Sequence, residues 1–333
     1  MVRLREIAEQ AGVSEATVSR VVNQRPGVNQ QTRDLVNQVM GQLGYEPRGL
    51  VRRGRAGLIG LVVPELTNPI FPAFAQGLGS NLAYHGYTAV LCMASIGAAA
   101  EEEHIDALLS RGVDGIIVLS GKHADAEADH QLYQTAIAKG VPLVLINGFQ
   151  SGIAASFVSC DDRYAADLAV RHLASLGHER IGCLVGPIRY VPVQHRIEGF
   201  RSAIAGLGLQ GEVLETGFVV EGGHRGGRAL LKHGVTGIVA ASDLLALGAI
   251  RAAVEQGLGV PGDLSVVGFD DTALMAFTDP PLTTVRQPVA AMCKAAVQAL
   301  LHHSDATAAA VEELVFRPEL VVRASTGRVP ARA

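Results

Sequence analysis

The sequence GVSEATVSRVVN, residues 12–23, indicates the fold of the N-terminal part of the chain. Ser14 is a favoured helix N-cap, and apolar residues recur after it at the three- and four-residue spacing of a helix. The apolar face of this helix is formed by Val18, Val21 and Val22. Gly12 suits the end of a preceding helix, which has its own apolar stripe over residues 4–11. The pattern predicts two short helices joined by a tight turn.

A third helix is predicted to begin at an Asn29 cap and to end at Gly44. Three such helices are typical of a helix-turn-helix domain, whose second helix enters the DNA major groove, although a hairpin that docks onto protein has the same pattern. Residues 1–56 contain nine Arg, no Lys and five acidic residues (+4), and the remaining chain contains 19 basic and 27 acidic residues (-8). Because positive charge is concentrated in this head, DNA binding is favoured.

The composition bounds the other possibilities. A chain of 333 residues, 48% hydrophobic and 18% charged, is long enough for two or three domains of an α/β protein. Its four cysteines have no metal-ligand spacing, so no metal site is predicted. We see no secretion signal and no apolar run that could cross a membrane, so we expect a cytoplasmic protein with no membrane partner.

From Gly57 onward, continuous apolar runs alternate with amphipathic segments, as in buried parallel strands joined by helices. The words VDGIIVLSG and VTGIVAASD occupy comparable places in two successive halves, which indicates two similar lobes. The predicted fold class is α/β, with an all-α helix-turn-helix head followed by a two-lobed body of doubly wound parallel sheets. The predicted head is 1–46, the Arg-rich linker 47–56 and the body 57–333. The first lobe is predicted at about 57–157 plus 288–312, and the second at about 158–287 plus 313–326.

Doubly wound sheets bind ligands at the carboxyl ends of their strands, so the residues just after each strand are candidates. These positions hold Asn68, Ile70, Phe71, Asp161, Arg196, Phe218, Ser242, Asp243, Asp270 and Asp271. Carboxylates, an arginine and aromatic rings suit a polyhydroxylated ligand. Two alternatives stay open, because Asp243 is also placed to cap the helix that follows it and Phe218 is also suited to the core.

Several segments of the sequence resemble those of one known protein family. The run IAEQAGVSEATVSRVVN, followed by VNQQTRDLV and LGYEP, is similar to the DNA-binding head of the lac repressor family of bacterial transcription regulators. The body continues the resemblance with TNPIFPAF, HLASLGHERIG, ASDLLALGAI and DLSVVGFDD, in the family's order. The resemblance implies a periplasmic-binding-protein-like body. It also implies that Glu15, Ala16 and Arg20 face base edges and that Ser14, Thr17, Ser19 and Asn23 hold phosphates.

The linker departs from the family's pattern. Relatives carry a hinge helix whose leucine wedges into the minor groove. Here the run EPRGLVRRGRAGLIG is shorter, and Gly49 and Gly54 within it disfavour helix. Leu50 remains as a candidate wedge, and Arg52 and Arg53 as candidate phosphate contacts. A flexible tether is the alternative that the sequence leaves open.

By position, the resemblance implies an effector pocket lined by Ile70, Phe71, Asp161, Arg196, Phe218, Ser242, Asp270 and Gln287. The predicted function is a homodimeric regulator that binds a near-palindromic DNA operator and is controlled by a small effector, with a sugar favoured. The alternatives are a stand-alone sugar-binding protein and a nicotinamide-dependent enzyme. The GLGS run at Gly77 lies within a predicted helix rather than between strand and helix, so no cofactor and no catalytic residue are predicted.

Overall fold

The structure is a computed structural model that describes residues 4–22, 27–43, 57–94, 99–303 and 312–329. The head contains helices α1 (Leu4–Ala11), α2 (Glu15–Val22) and α3 (Gln30–Gln42). One fully buried side chain from each helix, Ile7, Val18 and Val36, meets in a small common core. Asn29 caps α3 as predicted, since its Oδ1 accepts a hydrogen bond from the Thr32 N–H at 2.8 Å.

The first lobe is a parallel sheet covered by helices. Its elements in chain order are β1 (Leu58–Val63), α4 (Ile70–Tyr84), β2 (Thr88–Met93), α5 (Ala99–Ser110), β3 (Gly115–Leu119), α6 (Gln131–Ala138), β4 (Leu143–Ile146) and β5 (Ser156–Cys160). Near its end the chain returns to this lobe with α11 (Val289–His303) and β11 (Glu312–Phe316). The described strands pair in the order β11-β5-β4-β3-β1-β2, all parallel.

The second lobe repeats this plan. Its elements are α7 (Asp162–Ser175), β6 (Arg180–Val185), α8 (Val191–Leu207), β7 (Gln210–Glu215), α9 (Val220–Lys232), β8 (Gly237–Ala240), α10 (Asp243–Glu255), β9 (Ser265–Asp270), β10 (Thr283–Arg286) and β12 (Glu319–Val321). The described strands pair in the order β12-β10-β9-β8-β6-β7, and only β12 runs antiparallel to its neighbour. The words VDGIIVLSG and VTGIVAASD supply β3 and β8, which hold equivalent places in the two sheets.

In the part of the chain that the structure describes, three short links join the lobes: Asp161, Gln287–Pro288 and Arg317–Pro318. The strands β5 and β11 both belong to the first sheet, so the predicted lobe boundaries at 157 and 312 fall too early. They are corrected to Cys160 and Phe316. An apolar run identifies a buried strand, but it does not say which sheet the strand joins.

None of the helices in the described ranges combines the length and the apolar character needed to span a membrane. The four cysteines carry free thiols, and three of them are buried in the lobes.

Candidate functional site

Helix α2 buries one face in the head and leaves the other outside. Val18 and Val21 pack against the neighbouring helices. Ser14 Oγ accepts a hydrogen bond from the Thr17 N–H at 3.1 Å, so Ser14 caps α2 as predicted. Gly12, at a φ of +64°, makes the turn between α1 and α2, where a left-handed backbone favours glycine.

The residues predicted to contact DNA lie on the outer side of α2 or at its cap. Four of them are exposed and two are half-buried, and none belongs to the core of the head: Ser14, Glu15, Ala16, Thr17, Ser19 and Arg20. The other four predicted positions, Asn23, Leu50, Arg52 and Arg53, lie outside the described residues. The structure therefore brings the predicted recognition residues together on one helix.

A cavity of about 350 Å³ lies between the lobes, at the carboxyl ends of both sheets. We call it the inter-lobe cavity. The first lobe lines it with residues that follow β1, β3 and β4, and the second lobe with residues at the ends of β6 to β10. Seven of the eight predicted effector residues line it: Ile70, Phe71, Arg196, Phe218, Ser242, Asp270 and Gln287.

The first lobe gives the inter-lobe cavity an apolar wall. Ile70 and Phe71 are the first residues of α4, and Phe74 follows one turn later. Ile70 and Phe74 are buried, and Phe71 is half-buried against the core. Asn68 Oδ1 accepts a weak hydrogen bond of 3.4 Å from the Ile70 N–H at the start of this helix. The wall suits the apolar face of a sugar ring or another flat ligand.

Phe218 supplies an aromatic ring from the opposite lobe. It packs against the core and also lines the inter-lobe cavity, so both roles considered from the sequence apply. A Cβ atom at Gly186 would lie 1.9 Å from the Phe218 ring. The ring therefore takes its place beside the cavity because residue 186 has no side chain.

Arg196, on α8, brings a positive charge to the cavity, and acidic side chains surround it. Its Nε donates to Asp162 Oδ1 at 2.8 Å, and its Nη1 donates to the backbone carbonyl of Ala241. The guanidinium carbon lies 3.7 Å from the centre of the Phe269 ring. Burial disfavours the charged guanidinium, but Asp162 and Asp270 outweigh burial and raise the pKa of Arg196. The arginine is thus a fixed, charged hydrogen-bond donor.

Asp270 ends β9 at a φ of +114°, in a region that L-residues rarely adopt. Burial and the nearby Asp243 raise the pKa of Asp270 well above its usual value, against the opposing effects of Arg196 and Gln287. Gln287 Nε2 donates to Asp270 Oδ1 at 2.7 Å. Among the described residues, no group donates to the buried Oε1 of Gln287. A ligand hydroxyl at this place would satisfy an acceptor that is otherwise costly to bury.

Ser242, and not Asp243, caps the helix that follows them. Ser242 Oγ accepts from the Leu245 N–H at 3.2 Å, so Ser242 is the N-cap of α10 and a cavity residue at once. Asp243 does not cap the helix. Its buried carboxylate accepts from the N–H and hydroxyl of Thr272 at 2.8 and 3.0 Å and from the Thr284 hydroxyl at 2.7 Å, and so ties α10 to the residues after β9 and to β10.

Asp161 does not line the inter-lobe cavity, contrary to the prediction. Its Oδ1 accepts from the Tyr164 N–H at 3.0 Å, so the carboxylate caps α7. It borders a separate cavity of about 80 Å³ together with His195. Asp162 is the residue that pairs with Arg196, because successive positions at a helix start point in different directions.

Some lining residues were missed by sequence reasoning. Ser120 and Asn147 follow β3 and β4, and both have positive φ values, 46° and 64°. The rule that ligands bind at strand ends would have found this pair had it been applied to every strand. Arg189 and Tyr190 lie in the loop between β6 and α8, where no pattern singled them out.

Comparison with known families agrees with this architecture. Residues 3–48 match the family of bacterial regulatory proteins described as the lacI family, and residues 170–326 match the periplasmic binding protein-like domain. The chain is 54% identical to the HTH-type transcriptional regulator MalR of Streptomyces coelicolor over 335 residues, which covers 98% of this chain and 97% of MalR.

Two solved structures extend the comparison. The complex of the transcriptional regulator CelR with cellobiose is 30% identical, has a TM-score of 0.73 and covers 98% of this chain and 100% of that one. The lac repressor dimer bound to operator and the anti-inducer ONPF is 30% identical, with a TM-score of 0.72 and coverage of 98% and 99%.

These relatives are regulators and not enzymes, which agrees with the sequence prediction and disfavours the nicotinamide-dependent alternative. The matched head likewise favours a regulator over a stand-alone sugar-binding protein. With both domains matched and a relative more than half identical along nearly the whole chain, this protein belongs to the lacI family of bacterial regulatory proteins.

Proposed function

We propose that this regulator is a homodimeric repressor whose affinity for its operator is set by a sugar bound in the inter-lobe cavity. The observation that carries the proposal is the pairing of a charged cluster, Arg196, Asp270 and Gln287, with an apolar wall on the other side of the same cavity. Hydroxyls pair with a fixed arginine and a carboxyl group, and the carbon face of a sugar ring packs on apolar side chains. The bound cellobiose of CelR supports this ligand class.

On the DNA side, we assign base contacts to Glu15, Ala16 and Arg20, with the guanidinium of Arg20 suited to the O6 and N7 atoms of guanine. The phosphate contacts are assigned to the polar residues around them: Ser14, Thr17, Ser19 and Asn23. Leu50, Arg52 and Arg53 are assigned to the minor groove and to phosphates next to it. The regulator acts in the cytoplasm, where the chromosome lies.

A dimer follows from the geometry of recognition, because one short head makes too few contacts for tight specific binding and two heads read the halves of a near-palindrome. The lac repressor structure, a dimer on its operator, supports the same assembly. Closing the lobes on a sugar changes how the heads are held. Sugar affinity and operator affinity are therefore coupled, and the coupling is reciprocal.

The test of the sugar assignment is a titration of this protein into a fluorescent duplex from its own upstream region, with fluorescence anisotropy as the readout. A panel of mono-, di- and trisaccharides is added to the complex. We expect one sugar class to release the duplex and nucleosides to leave it bound. Release by nucleosides alone, or by no compound at all, would contradict the proposal.

The DNA assignment is tested by replacing Arg20 with alanine. Because a guanine contact contributes about 1–3 kcal/mol of discrimination, the variant should lose roughly 5- to 150-fold of its preference for the operator over a scrambled duplex. Arg228→Ala removes the same charge from an exposed site on α9 of the second lobe and serves as the control. If Arg20→Ala binds the operator and the scrambled duplex more weakly by the same factor, Arg20 contributes charge alone and not base recognition.

A further inference from the structure

A second and larger cavity adjoins the inter-lobe cavity. Its volume is about 580 Å³, and we call it the adjacent cavity. The two cavities share four lining residues, Pro64, Ser120, Arg189 and Tyr190. Ligand sites in proteins generally occupy about 300–1,000 Å³, so either cavity alone has the size of a ligand site.

The adjacent cavity has both apolar and polar lining residues, and several of the polar ones are held in place by hydrogen bonds. The buried Glu101 carboxylate accepts from the Tyr133 hydroxyl and, at 2.8 Å, from the Lys122 N–H. The Lys122 ammonium is paired with Glu102 at 2.7 Å. Asp129 lines the same cavity from an exposed position. Fixed carboxylates with an ammonium nearby are suited to accept from and donate to the hydroxyls of a sugar.

The junction of the cavities joins the two lobes. Asp125 of the first lobe pairs with Arg189 of the second at 2.7 Å, and the Ala126 N–H donates to the Arg189 carbonyl at 2.9 Å. The Arg189 guanidinium carbon also lies 5.1 Å from the centre of the Tyr190 ring. A ligand that passes Tyr190 from one cavity to the other therefore touches both lobes beside an existing bridge.

Resting on the proposed function, we infer that the effector is an oligosaccharide, with its first ring in the inter-lobe cavity and its further rings in the adjacent cavity. A chain of linked rings fits two neighbouring cavities that each combine apolar and polar side chains, with an aromatic residue between them. A single ring occupies the first cavity alone and leaves the carboxylates of the second to water. Each further ring adds hydrogen bonds and contact with both lobes.

The probes are glucose and its α-1,4- and β-1,4-linked di- and trisaccharides, tested for release of the operator duplex. For the wild-type protein we expect, in one linkage series, a trisaccharide that acts at concentrations at least about tenfold lower than glucose. Equal potency of glucose and its oligomers would overturn the inference and leave the proposed function standing. If no member of this series or of the wider sugar panel releases the duplex, the inference and the proposed function fall together.

Ala128→Phe places a bulky ring in the adjacent cavity without changing a residue of the inter-lobe cavity. We expect it to reduce the potency of the trisaccharide to that of glucose, while glucose potency and operator binding without sugar stay unchanged. Ala126→Phe is the matched control, because Ala126 is exposed on the same segment and lines neither cavity. If both variants keep the wild-type dependence on chain length, the inference is wrong.

A second variant guards against a folding defect in Ala128→Phe. Glu127 and Asp129 are exposed at the rim of the adjacent cavity, and replacing both with alanine removes two carboxylates without filling space. The double variant should bind the trisaccharide several-fold more weakly in calorimetry and glucose as before. Unchanged trisaccharide binding would contradict the assignment of these carboxylates to further rings.

Discussion

The two lobes share one strand order, yet the buried charges of the cavity between them come from the second lobe, while the first lobe supplies an apolar helix start. The first lobe offers apolar side chains from the start of α4, Ile70, Phe71 and Phe74. The second lobe offers a buried charge network centred on Arg196, with Asp162 and Asp270 around it. The comparison teaches that repetition of a fold fixes where a ligand binds, since both lobes line the cavity beyond their strand ends. The side chains placed there decide which lobe supplies the charged groups.

The largest effect is expected from breaking the charge network of the second lobe. Arg196→Met removes the partner of the buried Asp162, and leaving one half of a buried ion pair costs about 3–5 kcal/mol of the free energy of unfolding. Release of the operator by sugar should also be lost. Arg163→Met is the control, because its pair with Glu198 joins the same two helices but is exposed to solvent, and it should cost at most about 1 kcal/mol. Urea unfolding of both variants measures the difference.

The second prediction concerns a buried histidine of the first lobe. Burial lowers the pKa of His123 from 6.5 to about 4. The unfolded chain binds the proton near pH 6.5 and the folded chain does not, so acidification from about pH 6.5 to about pH 4 lowers the free energy of unfolding through this group. His123→Gln should remove that part of the pH slope, on the order of 3 kcal/mol across the window. Urea unfolding at several pH values tests it, and an unchanged slope would contradict it.

The third prediction has the opposite sign and belongs to the second lobe. Burial raises the pKa of Asp243 from 3.8 to about 6. The folded chain keeps the proton to higher pH than the unfolded chain, so raising the pH from about 4 to about 6 lowers the free energy of unfolding, by up to about 3 kcal/mol. Asp243→Asn should remove this loss and make stability rise more steeply with pH than in the wild type. A variant slope equal to or shallower than that of the wild type would show that Asp243 does not titrate in this window.

The smallest effect is expected from trimming the apolar wall. Phe71→Ala removes a half-buried ring that lines the inter-lobe cavity, so sugar binding should weaken roughly tenfold, equivalent to about 1.4 kcal/mol. Operator affinity without sugar should not change. Leu207→Ala, at an exposed position on α8, is the control. Calorimetry with the releasing sugar measures this effect. A loss of sugar affinity as large as that of Arg196→Met would show that the two lobes contribute equally to sugar binding.

Much of this arrangement could be predicted from the sequence. The caps at Ser14 and Asn29 follow from local pattern, and six of the seven cavity residues follow from the rule that ligands bind beyond the ends of parallel strands. The seventh, Gln287, was implied only by the family resemblance. The roles of Asp161, Asp162 and Asp243 could not be predicted in this way, because each depends on which elements pack together. Asp162 meets Arg196 only because α7 lies against α8.

The strands β5 and β11 show the same limit at the scale of the sheet. Each has the pattern of an ordinary strand, and the predicted boundaries assigned most of their residues to the second lobe. Their pairing in the first sheet is a long-range choice that periodicity does not encode. Arg189 and Tyr190 were missed for a related reason, since a loop acquires its role from what lies across the cavity.

The three described links between the lobes lie side by side. The Asp161 N–H donates to the Phe316 carbonyl at 2.8 Å, and β10 pairs with β12 next to the other crossings. Two of the links contain proline, which fixes its own φ and restricts the residue before it. Such a row of short, stiff tethers resists twisting and sliding and leaves one easy rotation about the line that it defines. A small ligand that draws the lobes together therefore rotates one lobe relative to the other about this line. The resulting displacement of any residue grows with its distance from that axis.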